Sequence, residues 1–378
     1  LLGKFARDYD LAARPGLTPK ERHEMIATSN SRRFRQPSVA AALLTATVLL
    51  AGGAYASDDS LFASNEPLVL RLEAPFSAIK NTKSKPEYMD GKLKLQEGGV
   101  EKAFDVRVRA RGHSRKEVCD FPPLLVNFKT SELKGSVLEG EDKLKLVTHC
   151  KATATFEQYL LLEYLSYRAL NLLTDMSLRA RPLTVTYYDT DRKREIDMRP
   201  ALFIEDEERF AERKGLTEVE LQRIESKQYD RDALGLVNMF EYFIGNTDWS
   251  AALGSQGSAC CHNIVPYQRP DGVLVPVPYD FDSSGMVNTP YALPNERLKI
   301  NTVRQRLYRG TTCESMADLE SRFVKFDAVK PQLLALFSTS SGLDKGQAAG
   351  ATGYINQFFD TRSDPKKVER AFRSGCKN

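Results

Sequence analysis

Two aspartates flank one phenylalanine at the end of an apolar run, "VPVPYDFDSSG", with Asp280 and Asp282 on either side of Phe281. Carboxylates brought together at the end of a buried-looking strand repel unless water or a cation offsets the charge. That pattern suits a strand that delivers a metal ligand to a phosphate-handling site. Two further polar points lie upstream. Asp248 sits in "FEYFIGNTDWS", just past an aromatic-rich helical stretch, and His262 and Asn263 open "HNIVPYQ". The turn "RPDG" joins that stretch to the one ending on Asp280. Helix, loop Asp, strand opening on Asn, turn, strand ending on Asp is an arrangement that can transfer a phosphoryl group. The loop Asp orients or deprotonates an acceptor hydroxyl, and the Asn and the strand-end Asp hold magnesium against nucleotide phosphates. Magnesium takes a few protein oxygens and leaves the rest of its shell to water and phosphate. His262 by itself reads as a turn or packing residue.

The front half offers the matching cations. In "EDKLKLV", Leu144 and Leu146 point one way and Lys143 and Lys145 the other, because side chains alternate along a strand. The next segment, "TFEQYLLLEYLSYRALNLL", has helical spacing over 155–173, with Thr155 as the expected N-cap and Glu157 in the first turn. A strand lysine that contacts phosphates commonly pairs with a glutamate on the following helix. The candidates are Lys145, Lys143 or Lys129, and Glu163 or Glu157. Glu205, next to last in "ALFIED", falls where two lobes would join.

The elements needed to position these groups follow from the pattern. From Glu66 onward, "PLVLRLEA", "GKLKLQEG", "AFDVRVRARG" and "PPLLVNFK" alternate apolar and polar residues. After the long helix come "RPLTVTYYD" and "MRPALFIED", joined by a charged tip, and then helical stretches interrupted by the short hairpin. Segregated strands and helices predict an α+β fold with two lobes, the strand-rich lobe over 57–205 and the mostly helical lobe over 206–378.

From about Arg107 to Gly285 the chain resembles the spore coat protein H (CotH) kinase-like family of atypical secreted kinases. The likeness rests on "RARGHSR", "DKLKLV" with its long helix, "ALFIEDEERF", "IGNTDWS" and "VPVPYDFDSSG". The resemblance implies a two-lobed protein-kinase-like fold, ATP and magnesium as cofactors, and phosphate transfer to a hydroxyl, on a protein or another acceptor. It implies Asp248 as the catalytic residue and Asp280 and Asn263 as metal ligands, with Asp282 as a second ligand or orienter. Nucleotide contacts would come from Lys145, Lys143, Glu163, Glu157, Glu205, and Arg111 and Ser114 in "RGHSR". The family places its Asn a few residues after the catalytic Asp, whereas here "AALGSQGSACC" intervenes, reading as a loop insertion. AMP transfer is an open variant of the same chemistry. An inactive kinase-like envelope or assembly protein, and a metal-dependent hydrolase using Asp248, His262, Asp280 and Asp282, are the alternatives.

Composition sets the compartment and excludes some partners. With 54 basic and 50 acidic residues among 378, the net charge of +4 leaves no nucleic-acid footprint. Arg32, Arg33 and Arg35 precede "SVAAALLTATVLLAGG", and "AYA" ends at Ala56. This is the order of a secretory signal peptide cleaved near Ala56, and the apolar run is short of the roughly 20 residues a membrane span needs. Residues 1–56 therefore read as an N-terminal extension and signal peptide with Met25 as the expected start, and the mature chain as periplasmic or extracellular. Six cysteines then read as disulfide partners. Cys119 and Cys150 are placed to staple one strand-rich stretch, and Cys260, Cys261, Cys313 and Cys376 are available for further bridges.

Overall fold

A computed structural model describes residues 61–112, 114–255, 258–310 and 314–373. The expected signal peptide, Met25, Cys313 and Cys376 lie outside them. The described residues all belong to one compact unit, Ala56–Asn378.

In chain order the elements are β1 (Leu68–Ala74), α1 (Phe76–Asn81), β2 (Met89–Glu97), β3 (Val100–Ala110), α2 (Ser114–Val118), β4 (Leu124–Phe128) and β5 (Lys143–Val147). Then come α3 (Ala154–Leu173), β6 (Ala180–Asp189), β7 (Arg194–Ile204), α4 (Glu207–Lys214) and β8 (Thr217–Glu218). The last are α5 (Arg231–Ile244), β9 (Ile264–Gln268), β10 (Leu274–Pro278), α6 (Met316–Ser338), α7 (Lys345–Arg362) and α8 (Pro365–Phe372).

The expected two-lobed protein-kinase-like fold is not what forms. Seven strands close into a mixed barrel in the order β1-β2-β3-β4-β5-β7-β6. Every neighbouring pair is antiparallel except the one that closes it, where β1 runs parallel to β6 from Leu68 opposite Leu183 to Ala74 opposite Asp189. Alternation marks a strand but carries no information about its partner. The pairing that removes both free edges joins segments far apart in the chain, so it is invisible to local pattern. A separate three-stranded sheet has the order β10-β9-β8.

Two apolar cores lie on the two faces of β5 and β7. Ala201 and Phe203 of β7 point into the barrel with Leu144 and Leu146, while Leu202 and Ile204 join Val147 and the helices. A strand covered on both faces reads as a continuous apolar run, which is why "ALFI" does not alternate. The long helix α3 packs against α6, and its buried residues share a core with α5, α6 and α7. It begins one residue earlier than expected, at Ala154, and Thr153 stands at the N-cap without a side-chain hydrogen bond.

Helix α5 is bounded in a way that aims the next loop. The Asp230 side chain accepts from the backbone N–H groups of Asp232 and Ala233. Gly245 ends the helix with φ 67°, a left-handed conformation that glycine adopts without steric cost. The loop after β10 docks beside it: Gly285 N donates to Gly245 O at 3.0 Å and Met286 N to Ile244 O at 2.8 Å. Between the two aspartates, Phe281 is fully buried against Tyr167 and Phe240, with ring centroids 4.7 and 5.5 Å away. Its burial anchors the stretch and sends the flanking carboxylates to Arg115, Asp280 part-exposed and Asp282 buried. Phe281→Ala is expected to destabilise the folded chain by about 3–5 kcal/mol and Phe281→Leu by clearly less, as read by urea denaturation.

Candidate functional site

Two strips of backbone hold the first group of side chains. Ser250 N donates to His262 O at 2.8 Å, and His262 N donates to Ser250 O at 3.1 Å. Residues 248–250 and 262–263 are thereby laced together. The long gap between Asp248 and Asn263 in sequence disappears in space. The Asn263 side-chain amide donates to Asp248 O at 2.6 Å and approaches Asp248 Oδ2 at 3.4 Å. The Asp248 carboxylate is half-exposed, and its Oδ1 lies 2.8 Å from His262 Nε2. The hydrogen bond to Asp248 pushes the His262 imidazole above its ordinary value, against the opposing effect of burial. Buried Asn246 accepts from Asp248 N at 2.9 Å and fixes the loop from below.

The hairpin brings its other end alongside. Tyr279 N donates to Asn263 O at 3.1 Å, so Asp280 follows directly beside Asn263. Asp280 has φ 63°, a left-handed conformation that Asp tolerates better than most side chains. Its N–H donates to Tyr167 Oη of α3 at 2.9 Å.

Arg115 of α2 stands among three carboxylates. Its Nη1 lies 3.2 Å from Glu163 Oε2, its Nε lies 3.2 Å from Asp282 Oδ2, and its Nη2 contacts Asp280 Oδ1. Asp282 is further held by Tyr291 Oη, which donates at 2.9 Å, and by Ser283 Oγ at 3.2 Å. Burial pushes the Glu163 and Asp282 carboxyls up, and the Arg115 guanidinium opposes that shift at both.

Arg111 and Lys145 complete the cationic side. Among the described residues the Arg111 guanidinium makes no ion pair; burial and then Arg115 push it down, and Asp280 acts in the opposite sense. Burial, with Arg111 next, pushes the Lys145 ammonium down to about 7, against Asp206, Asp280 and Glu218. Glu207 at the start of α4 contacts that ammonium, and the Tyr279 ring lies 5.0 Å from it.

The structure thus brings together Asp248, Asn263, Asp280, Asp282, Glu163, Arg111 and Lys145. It does not bring in the others. Lys143 pairs with Glu208 at 3.0 Å, Glu157 pairs with Arg199 at 2.5 Å, and Ser114 is exposed. Glu205 is buried against Arg179 and Arg213 at 2.5 and 2.8 Å, where it ties the residue after β7 to the last turn of α4. The expected strand lysine–helix glutamate pair is replaced, because Glu163 meets Arg115. Sequence reasoning passed over Arg115, Tyr167, Glu207 and Glu218, and gave His262 a role only in the hydrolase alternative. Only Arg115 carried a local signal, as the last residue of "RGHSR".

No protein-family model and no curated protein matches this chain. Both described cysteine pairs, Cys119–Cys150 and Cys260–Cys261, are at disulfide distance, which suits an oxidising compartment. The first is the staple expected from sequence. Among the described residues no helix is long and apolar enough to cross a membrane.

Beneath the Asp248 loop, Glu241 is buried in the last turn of α5, and burial pushes its carboxyl up to about 8. Its unfolded value is near the ordinary 4.5. Between these limits the folded state keeps a proton that the unfolded state has lost, so stability falls as pH rises and the contribution is gone above about 8. Equilibrium unfolding from pH 5 to 9 is expected to show a decline of up to about 1.4 kcal/mol per pH unit, and Glu241→Gln is expected to flatten it.

Proposed function

We propose that this chain is an exported ATP-dependent phosphotransferase that uses magnesium and a hydroxyl acceptor, with site chemistry of the CotH kinase-like kind carried on the barrel-and-helix architecture described above. The observation that carries the reading is the placement of Arg111 and Lys145 beside Asp280, within the group that also holds Asp248, His262 and Asn263. Arg111 lacks an anionic partner among the described residues, and Lys145 is held where its charge is disfavoured. A phosphate group supplies the anion that Arg111 lacks, and gives Lys145 a second anion beside Glu207.

The donor set fits a magnesium ion that arrives with its nucleotide. Among the described residues no three His, Cys, Asp or Glu side chains are placed to hold a metal ion, so nothing resembles a closed protein cage. Asp280 and Asn263 would supply oxygen ligands, and phosphate and water the remainder. Bound there, magnesium would neutralise charge on the phosphates during transfer. Asp282 is committed to Arg115 and Tyr291 and serves to orient.

The chain's own groups then divide the work. Arg111 and Lys145 bind the phosphates. Asp248, fixed by Asn246 and Asn263, accepts a hydrogen bond from the acceptor hydroxyl and aims its oxygen at the terminal phosphorus. The new O–P bond forms as the bond to ADP breaks, and the hydroxyl proton passes to the Asp248–His262 pair. One observation favours a second reading: Asp280 and Asp282 are both tied to Arg115, which would suit a nucleotide-binding protein without turnover.

The deciding experiment is a thermal-shift titration of the chain from Ser57 with ATP, Mg²⁺ and both, followed by transfer of labelled phosphate. Stabilisation by the two together, lost in Asp280→Asn and weakened at least tenfold in Arg111→Met and Lys145→Met, is the expected result. Binding without transfer would establish the second reading, and metal uptake independent of nucleotide would point to a hydrolase.

The pH profile tests the assignment of roles. His262 must be neutral to take a proton, so kcat is expected to rise through a value above that of ordinary imidazole. Lys145 must be charged to hold phosphate, so kcat/KM is expected to fall above about 7. Lys145→Arg should move the falling limb to higher pH, because a guanidinium keeps its charge.

A further inference from the structure

We propose that Arg115 is the built-in counter-cation of this site and that the Cys119–Cys150 disulfide seats it, so that the guanidinium is held among the carboxylates only in the oxidised chain. The inference deepens the reading above and shares with it only the treatment of Asp280 as a site residue.

Glu163 and Asp282 are 2% and 6% exposed, and Asp280 stands beside them. Three carboxylates in such a place would be driven to take up protons without a cation. The guanidinium answers all three at once, with a different nitrogen for each: Nη1 for Glu163, Nη2 for Asp280 and Nε for Asp282. A planar fork can do this, and a lysine ammonium cannot reach three partners in the same geometry. Spread around the guanidinium, the carboxylates are too far apart to share one ion. Glu163 Oε1 is buried and makes no hydrogen bond among the described residues, so the cluster has an unused acceptor.

What holds Arg115 is not its own helix. The five residues of α2 are too few to be stable by themselves. Cys119 N donates to Arg115 O at 3.0 Å, and Cys119 is bonded to Cys150. Phe121 N donates to Cys150 O at 2.9 Å, and Cys150 leads into α3, the helix that carries Glu163. The disulfide therefore clamps the Arg115 turn to the entrance of the helix whose carboxylate it neutralises. A dithiol that opens the bond gives two thiols and is itself oxidised to a disulfide, a two-electron exchange that frees the turn.

The test needs no nucleotide, so its failure is distinct from failure of the phosphotransferase reading. Mn²⁺ uptake is measured by electron paramagnetic resonance on the chain from Ser57, with circular dichroism to confirm folding. Oxidised wild type is expected to bind Mn²⁺ weakly. Arg115→Met leaves three carboxylates free to close on an ion and is expected to bind at least tenfold more tightly. Cys119→Ala/Cys150→Ala, and wild type treated with dithiol, should move in the same direction, whereas Cys260→Ala/Cys261→Ala should not. If Arg115→Met fails to fold, Arg115→Met/Glu163→Gln, which removes one carboxylate with the cation, decides by the same readout. A folded Arg115 variant with wild-type Mn²⁺ affinity overturns the counter-cation role. A folded Cys119→Ala/Cys150→Ala chain with wild-type affinity overturns the seating by the disulfide.

Discussion

A buried guanidinium surrounded by three carboxylates sets the terms for everything near it. Charges withdrawn from water must be matched closely, and a matched set is intolerant of movement. Arg115 can meet Glu163, Asp280 and Asp282 only if α2, α3 and the stretch after β10 keep fixed relative positions. The disulfide, the Tyr167–Asp280 hydrogen bond and the burial of Phe281 each constrain one of those segments. The same constraint brings Asp280 to the edge of the hairpin, where Asn263 and Asp248 meet it.

The Asp248 loop is built on a different principle. It contains little charge matching and relies on backbone. Gly245 ends α5, Gly285 docks against it, and the bonds between Ser250 and His262 join the strip that carries Asp248 to the one that carries Asn263. In that frame Asp248 can stay half-exposed while its neighbours are rigid. A group that must meet a substrate needs exposure, and a group that must be aimed needs rigid neighbours. The loop satisfies both by fixing the residues on each side of the carboxylate.

Lys145 shows how a local pattern and a distant contact combine. Period-two alternation in "DKLKLV" put both lysines on the face opposite Leu144 and Leu146, and the structure agrees. Their fates then diverge through tertiary contacts alone. Lys143 meets Glu208 near solvent, while Lys145 is desolvated beside Arg111, Tyr279 and Glu207. Likewise Glu157 and Glu163 lie on one helix, yet one finds Arg199 and the other Arg115. The strand and helix faces were legible because they repeat over a few residues. The partners were not, since each comes from a segment remote in the chain.

The amino-acid sequence alone determined the strands, the long helix, the D-F-D stretch at the end of an apolar run, the Cys119–Cys150 staple and the order of the Asp, Asn and Asp that make up the candidate site. All of these rest on short-range spacing or residue type. Tertiary structure alone decided that the sheet closes as a barrel and not as the lobe of a kinase-like fold. It also decided that Asn263 reaches Asp248 across a long insertion and that Glu163 takes an arginine in place of a lysine. Each of these depends on which distant segments come to lie side by side, and burial and pairing across the whole chain settle that where local periodicity does not.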